Sequence, residues 1–198
     1  MRALYALGLL YIALCGGLIW LGRAQPAPAP SPPVAPARPT PAHPVSPSSG
    51  PEWFQRMKPF CNPVEVETRV RFEPPPAGYE GVAYGAGCFA LAGKIAQARE
   101  LLMTLEATER PRAADLVFEL AHPVADAGDD TSAGPIMGMV VEFSPDNYMA
   151  LYHAGASEFA LGQPELSRKH LARFLELYKQ PDGWRSNAES MLARLDGK

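Results

Sequence analysis

The sequence has no acidic residue in its first 51 positions and contains only three cysteines. No pair of cysteines forms a CxxC or CxxCH motif, so the signatures of dithiol redox catalysis and covalent haem attachment are absent. No segment resembles a nucleophile elbow, a zinc-binding motif or a phosphate-binding loop. The sequence therefore predicts a protein that is not an enzyme, has no cofactor and has no evident small-molecule substrate.

Charge is unevenly distributed along the chain. All 21 acidic residues lie at or after Glu52, together with 15 of the 18 basic ones, which gives this part a net charge of about −6. Nucleic acid is not expected as a partner, because phosphate contacts require a basic face. Asp126, Asp129 and Asp130 lack the ligand spacing of a calcium-binding loop, and no metal site is predicted.

The first 23 residues form a candidate membrane anchor. Residues 3–22 contain no charge, and as a helix they are long enough to cross about 30 Å of hydrocarbon. A cleaved signal peptide has a shorter apolar core, and a lipoprotein cut before Cys15 would need a small residue where Leu14 stands. We predict an uncleaved anchor over residues 1–23 of a bacterial inner membrane protein, with its N-terminus inside and most of the chain in the periplasm.

Two further segments precede the helical part of the chain. Residues 24–51 contain 11 prolines in 28 positions, which predicts an extended polyproline II linker. Residues 52–78 are interpreted as extended, with a strand at 64–73, because VEVETRVRFE alternates apolar or Thr residues with charged ones. That strand would lie along the helices, pair with a partner's sheet edge or pair with its own copy.

Two of the cysteines lie in the part of the chain predicted to be outside the cytoplasm. Cys61 precedes the predicted strand and Cys88 lies in the first predicted helix after it. In an oxidising compartment these two are expected to form a disulfide, which would contribute about 3 kcal/mol by the loop-entropy model. The alternative is two buried free thiols.

A pattern of glycines and small residues occurs three times. Gly93, Gly128 and Gly162 are 35 and 34 residues apart. Small residues recur seven before and five after each glycine, and large apolar residues recur nine and twelve after. These positions are Ala86, Ala121, Gly155, Ala98, Ala133, Ser167, Leu102, Met137, Leu171, Leu105, Val140 and Phe174. The period predicts three stacked helical hairpins over residues 79–113, 114–147 and 148–181, followed by a terminal helix at 183–195.

These units resemble the tetratricopeptide repeat family, which places a large apolar residue, Leu-Gly and an aromatic on its first helix, and Ala, an aromatic and Pro later. The matching positions are Val82, Gly85, Ala86, Phe89, Ala98 and Leu102 in the first unit, Val117, Leu120, Ala121, Val124, Ala133, Met137 and Pro145 in the second, and Leu151, Ala154, Gly155, Ser167 and Leu171 in the third. The third unit departs at Glu158, where the family has an aromatic. The resemblance implies an all-α fold, a right-handed solenoid of three hairpins and a capping helix over residues 79–198.

In that family the first helices of the units line a concave, peptide-binding face. Carrying the pattern over selects Glu80, Ala83, Gly87, Ala90, Asp115, Phe118, His122, Ala125, Met149, Tyr152, His153, Ala156 and Phe159. The groove itself is expected to be formed by the larger members of this set, Phe118, His122, Met149, Tyr152, His153 and Phe159. The alternative is that the strand at 64–73 covers these side chains.

The anchor and the resemblance together imply a function in the cell envelope. We expect a membrane-anchored scaffold that binds another envelope protein or peptide and supports assembly of a membrane complex. A permanent structural subunit of an electron-transport, photosynthetic or secretion complex is the alternative from a different class. A chaperone-like holder of unfolded clients, such as apocytochromes, is the third.

Overall fold

The structure, a computed structural model, describes residues 49–197. Within these residues the chain forms nine α-helices and no strand. The helices are α1 (Gly50–Met57), α2 (Val66–Phe72), α3 (Tyr79–Leu91), α4 (Ile95–Met103), α5 (Arg110–Asp126), α6 (Asp130–Phe143), α7 (Tyr148–Ala160), α8 (Pro164–Leu177) and α9 (Gly183–Leu195), with a 3₁₀ turn at Lys58–Phe60 after α1. The all-α class is therefore confirmed. The predicted anchor and all but the end of the predicted linker lie outside the described residues. No helix among those described has the length and apolar character needed to cross a bilayer.

Three helix–turn–helix pairs, α3–α4, α5–α6 and α7–α8, form most of the fold. Gly93, Gly128 and Gly162 each follow the first helix of a pair and have positive φ angles between 71° and 77°. The amide of the residue after each glycine bonds back across the last helical turn, as in Lys94 N to Phe89 O at 2.9 Å. This pattern is the Schellman motif, and glycine suits it because it adopts the left-handed conformation without strain. The predicted glycine turns are confirmed.

The recurring positions pack the helices together. All twelve recurring residues predicted from the sequence are buried in the structure. At Gly155 on α7 the two helices approach closely, because an added Cβ would lie 2.7 Å from the Leu171 side chain of α8. Ser167 donates a hydrogen bond of 2.8 Å to the Gly155 carbonyl oxygen. Small residues therefore set the spacing within a pair, and α9 packs on α7 and α8 as the predicted terminal helix.

The prediction of a strand at residues 64–73 is wrong, because this segment contains the helix α2. Val66 is buried and Val70 partly buried, and their spacing of four places both on one helical face. No other strand lies within residues 49–197 to pair with it, so a helix satisfies its backbone groups internally. Val64 and Phe72 remain 85% and 82% exposed. The alternating pattern in the sequence is therefore also compatible with a helix that buries the side chains of only one face.

The segment before α3 is tied to it by a covalent link and by buried aromatic packing. The predicted disulfide between Cys61 and Cys88 is confirmed, with Cα atoms 4.8 Å apart. Trp53 of α1 is 1% exposed, and its indole N–H donates to the Glu73 carbonyl oxygen at 3.0 Å. Because Glu73 directly follows α2, these contacts fix α1, α2 and α3 as one packed unit.

Candidate functional site

The six predicted groove residues lie on α5 and α7, but they do not form one open surface. Phe118, Tyr152 and His153 are between 5% and 7% exposed, whereas His122, Met149 and Phe159 are partly buried. Phe118, His122, Tyr152 and His153 form a continuous row of ring contacts with centroid distances of 4.6–5.3 Å. Phe159 does not join that row: its ring lies under the Arg194 guanidinium of α9 at 4.7 Å.

Tyr152 is a core residue. It contacts Phe174 of α8 at 5.2 Å and Trp184 of α9 at 4.9 Å between ring centroids. The elements that cover it are therefore α8 and α9, not the segment at 64–73 that the sequence suggested. Tyr152 thus cannot serve as the open aromatic surface expected of a peptide groove.

An open groove lies next to this aromatic row, across the starts of α3, α5 and α7. It consists of two adjoining pockets of about 320 and 530 Å³, which share Asp115 and Glu119. The first pocket is also lined by Tyr79, Glu80, Arg112 and Leu116, and the second by Phe118, Ser144, Asp146, Asn147, Tyr148 and Met149. Two predicted groove residues, Phe118 and Met149, contribute to it.

The groove has an acidic lining whose members differ in how they are held. Asp115 accepts hydrogen bonds from Ser144 Oγ at 2.8 Å and Asn147 Nδ2 at 2.9 Å. Glu80 and Glu119 are exposed and form no ion pair with any residue in the range 49–197. One wall therefore carries negative charge available to a ligand.

Two charged residues of the groove lining, Arg112 and Asp146, are held by contacts within the protein. The Arg112 guanidinium donates to the Tyr79 hydroxyl at 3.1 Å and lies 4.8 Å from the centre of that ring. Asp146 is paired with Arg173 of α8 at 2.7 Å. These two side chains are thus held by protein contacts, while Glu80 and Glu119 are exposed members of the lining.

A second cluster of polar side chains lies at the far end of α5. Asp126 Oδ1 is 3.4 Å from His122 Nε2 and 3.6 Å from His153 Nε2 of α7. These three ligand-type atoms all lie within 4.8 Å of one another. Both Nε2 atoms are buried without a hydrogen-bond partner among the described residues. Burial, with a smaller effect from His122, lowers the pKa of His153 to about 4, although Asp126 and Asp130 oppose the shift.

The sequence selected His122 and His153 as groove residues and gave His170 no role. The structure brings His122 and His153 together, whereas His170 pairs with Glu158 through Nδ1–carboxylate distances of 2.8 and 3.0 Å. Both members of that pair are buried. Glu158, the departure from the repeat pattern, therefore has a specific partner on the second helix of its own pair.

Asp126 and Glu119 were not predicted as site residues. The four-residue spacing of His122 and Asp126 puts both on one helical face and was visible in the sequence. The proximity of these two residues to His153, 31 positions after His122, depends on how α5 and α7 pack, which the sequence does not show.

No protein-family model, curated protein or solved structure matches this chain.

Proposed function

We propose that the protein is a membrane-anchored scaffold of the cell envelope whose helical domain binds a segment of another envelope protein and supports assembly of a membrane complex. The observation that carries this proposal is the acidic groove across α3, α5 and α7. It lies on the first helices of the three pairs, the face that the tetratricopeptide resemblance assigns to peptide binding.

The chemistry of the groove defines the partner it suits. Glu80 and Glu119 offer two carboxylates without ion partners among residues 49–197, and Phe118, Tyr148 and Met149 offer apolar surface beside them. A peptide segment with a lysine or arginine next to an apolar side chain would satisfy both features. Charge complementarity of this kind favours fast association and correct register.

The disulfide supports a location outside the cytoplasm. Disulfides persist in oxidising compartments such as the periplasm, and reducing conditions in the cytosol disfavour them. The Cys61–Cys88 bond is therefore consistent with an anchor over residues 1–23 that leaves the remaining chain in the periplasm.

Site-specific crosslinking in cells tests the groove. A photoreactive phenylalanine analogue at Tyr148, which lines the groove and is 45% exposed, is compared with one at Leu166 on α8, which is 48% exposed. We expect one discrete adduct from position 148 and none from 166. The proposal fails if the two positions give the same adducts, or if position 148 gives none.

Charge reversal then tests the acidic lining. Glu119→Lys should abolish the adduct from position 148, because it replaces an attraction with a repulsion. Glu100→Lys on α4 makes the same charge change at an exposed position outside the groove and should leave the adduct intact. Equal effects of the two variants would contradict recognition by the groove.

A second candidate function is a permanent structural subunit of a membrane complex. The observation that favours it is the exposure of Val64 and Phe72, which together with Glu65, Thr68 and Arg69 surround a surface hollow of about 460 Å³. Obligate interfaces are more apolar than transient ones. If Val64→Ser with Phe72→Ser removes the protein from a complex of fixed stoichiometry while Glu119→Lys does not, the second function is favoured.

A further inference from the structure

The cluster of His122, Asp126 and His153 has three ligand-type atoms that converge without bonding to one another. The distances from Asp126 Oδ1 to the two Nε2 atoms, 3.4 and 3.6 Å, exceed those of an N–H···O hydrogen bond in normal geometry. Each Nε2 atom is buried and has no other partner within residues 49–197. Leaving a buried polar atom unpaired costs stability, so two such atoms facing one carboxylate require an explanation.

The spacing matches the coordination sphere of a small transition metal ion. Two ligand atoms bound to a tetrahedral zinc ion at about 2.1 Å lie about 3.4 Å from one another. The two measured nitrogen–oxygen distances agree with that value within a few tenths of an ångström. The third separation, between the two imidazole nitrogens, is no more than 4.8 Å.

The electrostatic surroundings favour a cation at this place. Asp126 is the last residue of α5, where the helix dipole is negative, and that last turn contains no basic residue. A carboxylate there is unfavourable unless a positive charge is bound nearby. Asp130 at the start of α6, held by Ser157 at 2.9 Å, adds a second carboxylate that acts on His153.

The two imidazoles are also held in place. His122 stacks on Phe118 with a centroid distance of 4.6 Å, and His153 contacts the Trp184 ring at 5.7 Å. His153 is 5% exposed, so its Nε2 is fixed and aimed into the cluster. Side chains locked by packing lose little freedom on binding an ion, which favours high affinity.

We propose that His122 Nε2, His153 Nε2 and Asp126 Oδ1 bind a divalent transition metal ion of the zinc type, with water in the fourth position. Two imidazole ligands favour zinc over calcium or magnesium, which prefer oxygen ligands. The exposed fractions of the His122 and Asp126 side chains, 28% and 49%, leave a path for the ion. The bound ion would cross-link the second and third helix pairs. This assignment replaces the sequence-based prediction of no metal and is independent of the groove.

Calorimetry on the full chain tests the assignment. The protein is purified in detergent, stripped with a chelator and titrated with zinc chloride. We expect one zinc ion per chain with a dissociation constant in the micromolar range or tighter, and a zinc-dependent rise of the melting temperature. Asp126→Asn and His122→Gln should each weaken binding at least tenfold, whereas the matched control Glu100→Gln should not change it.

A spectroscopic measurement on the unmodified chain removes any dependence on the folding of variants. X-ray absorption at the zinc edge should report two imidazoles and oxygen ligands at four-coordinate distances, and cobalt substitution should give the intense visible bands of a tetrahedral site. Absence of zinc uptake, a cobalt spectrum typical of octahedral coordination, or uptake that either ligand variant leaves unchanged would overturn the proposal.

Discussion

The segment formed by α1 and α2 and the three helix pairs that follow it are stabilised in different ways. The segment is held to α3 by one disulfide, and its two helices are joined to each other by the buried Trp53 ring and by half-exposed ion pairs such as Arg56–Glu73. The helix pairs are held by a buried register of small and large apolar residues that occurs in every pair. A few strong links therefore secure the first region, and many equivalent contacts secure the second.

This difference predicts how each region responds to damage. In a stack of units, neighbouring units stabilise one another across their interfaces. A core defect in one unit should therefore lower the stability of several helices together. In the first region a single broken link can release α1 and α2 while the helix pairs remain folded. Four changes, from the largest expected effect to the smallest, test this distinction.

The largest effect is expected from Phe174→Ala in α8. Phe174 is fully buried and contacts the rings of Tyr152 and Tyr178. Removing the ring leaves a cavity, and we expect a loss of about 3–5 kcal/mol in the free energy of unfolding. Urea unfolding of the full chain, followed by circular dichroism, measures it. Leu166→Ala on the same helix removes an exposed side chain and should change stability by less than about 0.5 kcal/mol.

Removing the disulfide should have a more local effect. Cys61→Ala with Cys88→Ala removes the covalent link across 27 positions, which is worth about 2–4 kcal/mol. Hydrogen exchange should become faster in α1 and α2, while amides of α5 to α8 keep their protection. If protection falls equally in all helices, the two regions form one cooperative unit and the distinction is wrong.

The same contrast explains how much of the fold was predictable from the sequence. The repeated register predicted the helix pairs and their glycine turns, because each position was supported by three copies. The segment at 64–73 occurs once, and its period-two pattern outweighed the four-residue spacing of Val66 and Val70. Whether this stripe is buried depends on α3, which a local pattern does not reveal.

The site was less predictable than the fold. The family pattern selected Phe118 and Met149, which line the open groove, but it could not show that α8 and α9 bury Tyr152. Contacts between helices of different pairs, such as His122 with His153, depend on side-chain directions. The identity of the partner and the full solenoid of the tetratricopeptide type stay predictions.

Histidine protonation should act on the helix pairs and not on α1 and α2, because residues 49–78 contain no histidine. Burial lowers the pKa of His153 from 6.5 to about 4, so the unfolded chain takes up this proton first. In chelator-treated protein, stability should therefore fall as the pH drops from about 6.5 to about 4, by about 3 kcal/mol in total. The groups facing His153 are His122, Asp126 and Asp130.

A variant isolates this contribution from that of other titrating groups. His153→Gln retains a polar side chain but cannot be protonated, so its unfolding free energy should lose most of this slope between pH 6.5 and 4. Urea titrations at five pH values compare the two proteins. An unchanged slope in the variant would show that other groups cause the acid sensitivity.

The smallest effects should come from two matched ion pairs, one in each region. Arg56–Glu73 joins α1 to the residue after α2, and Arg99–Glu142 joins α4 to α6; both measure 2.8 Å and all four side chains are 43–49% exposed. Because exposed pairs are screened by water, Glu73→Gln and Glu142→Gln should each cost less than about 1 kcal/mol. Raising the ionic strength should reduce both costs, since salt screens exposed charges. The two variants should nevertheless differ in which helices exchange faster. Glu73→Gln should increase hydrogen exchange in α1 and α2 alone. Glu142→Gln should cause a small increase in hydrogen exchange across α4 to α7. If Glu73→Gln costs several kcal/mol, the first region depends on its charges and not on the disulfide and Trp53.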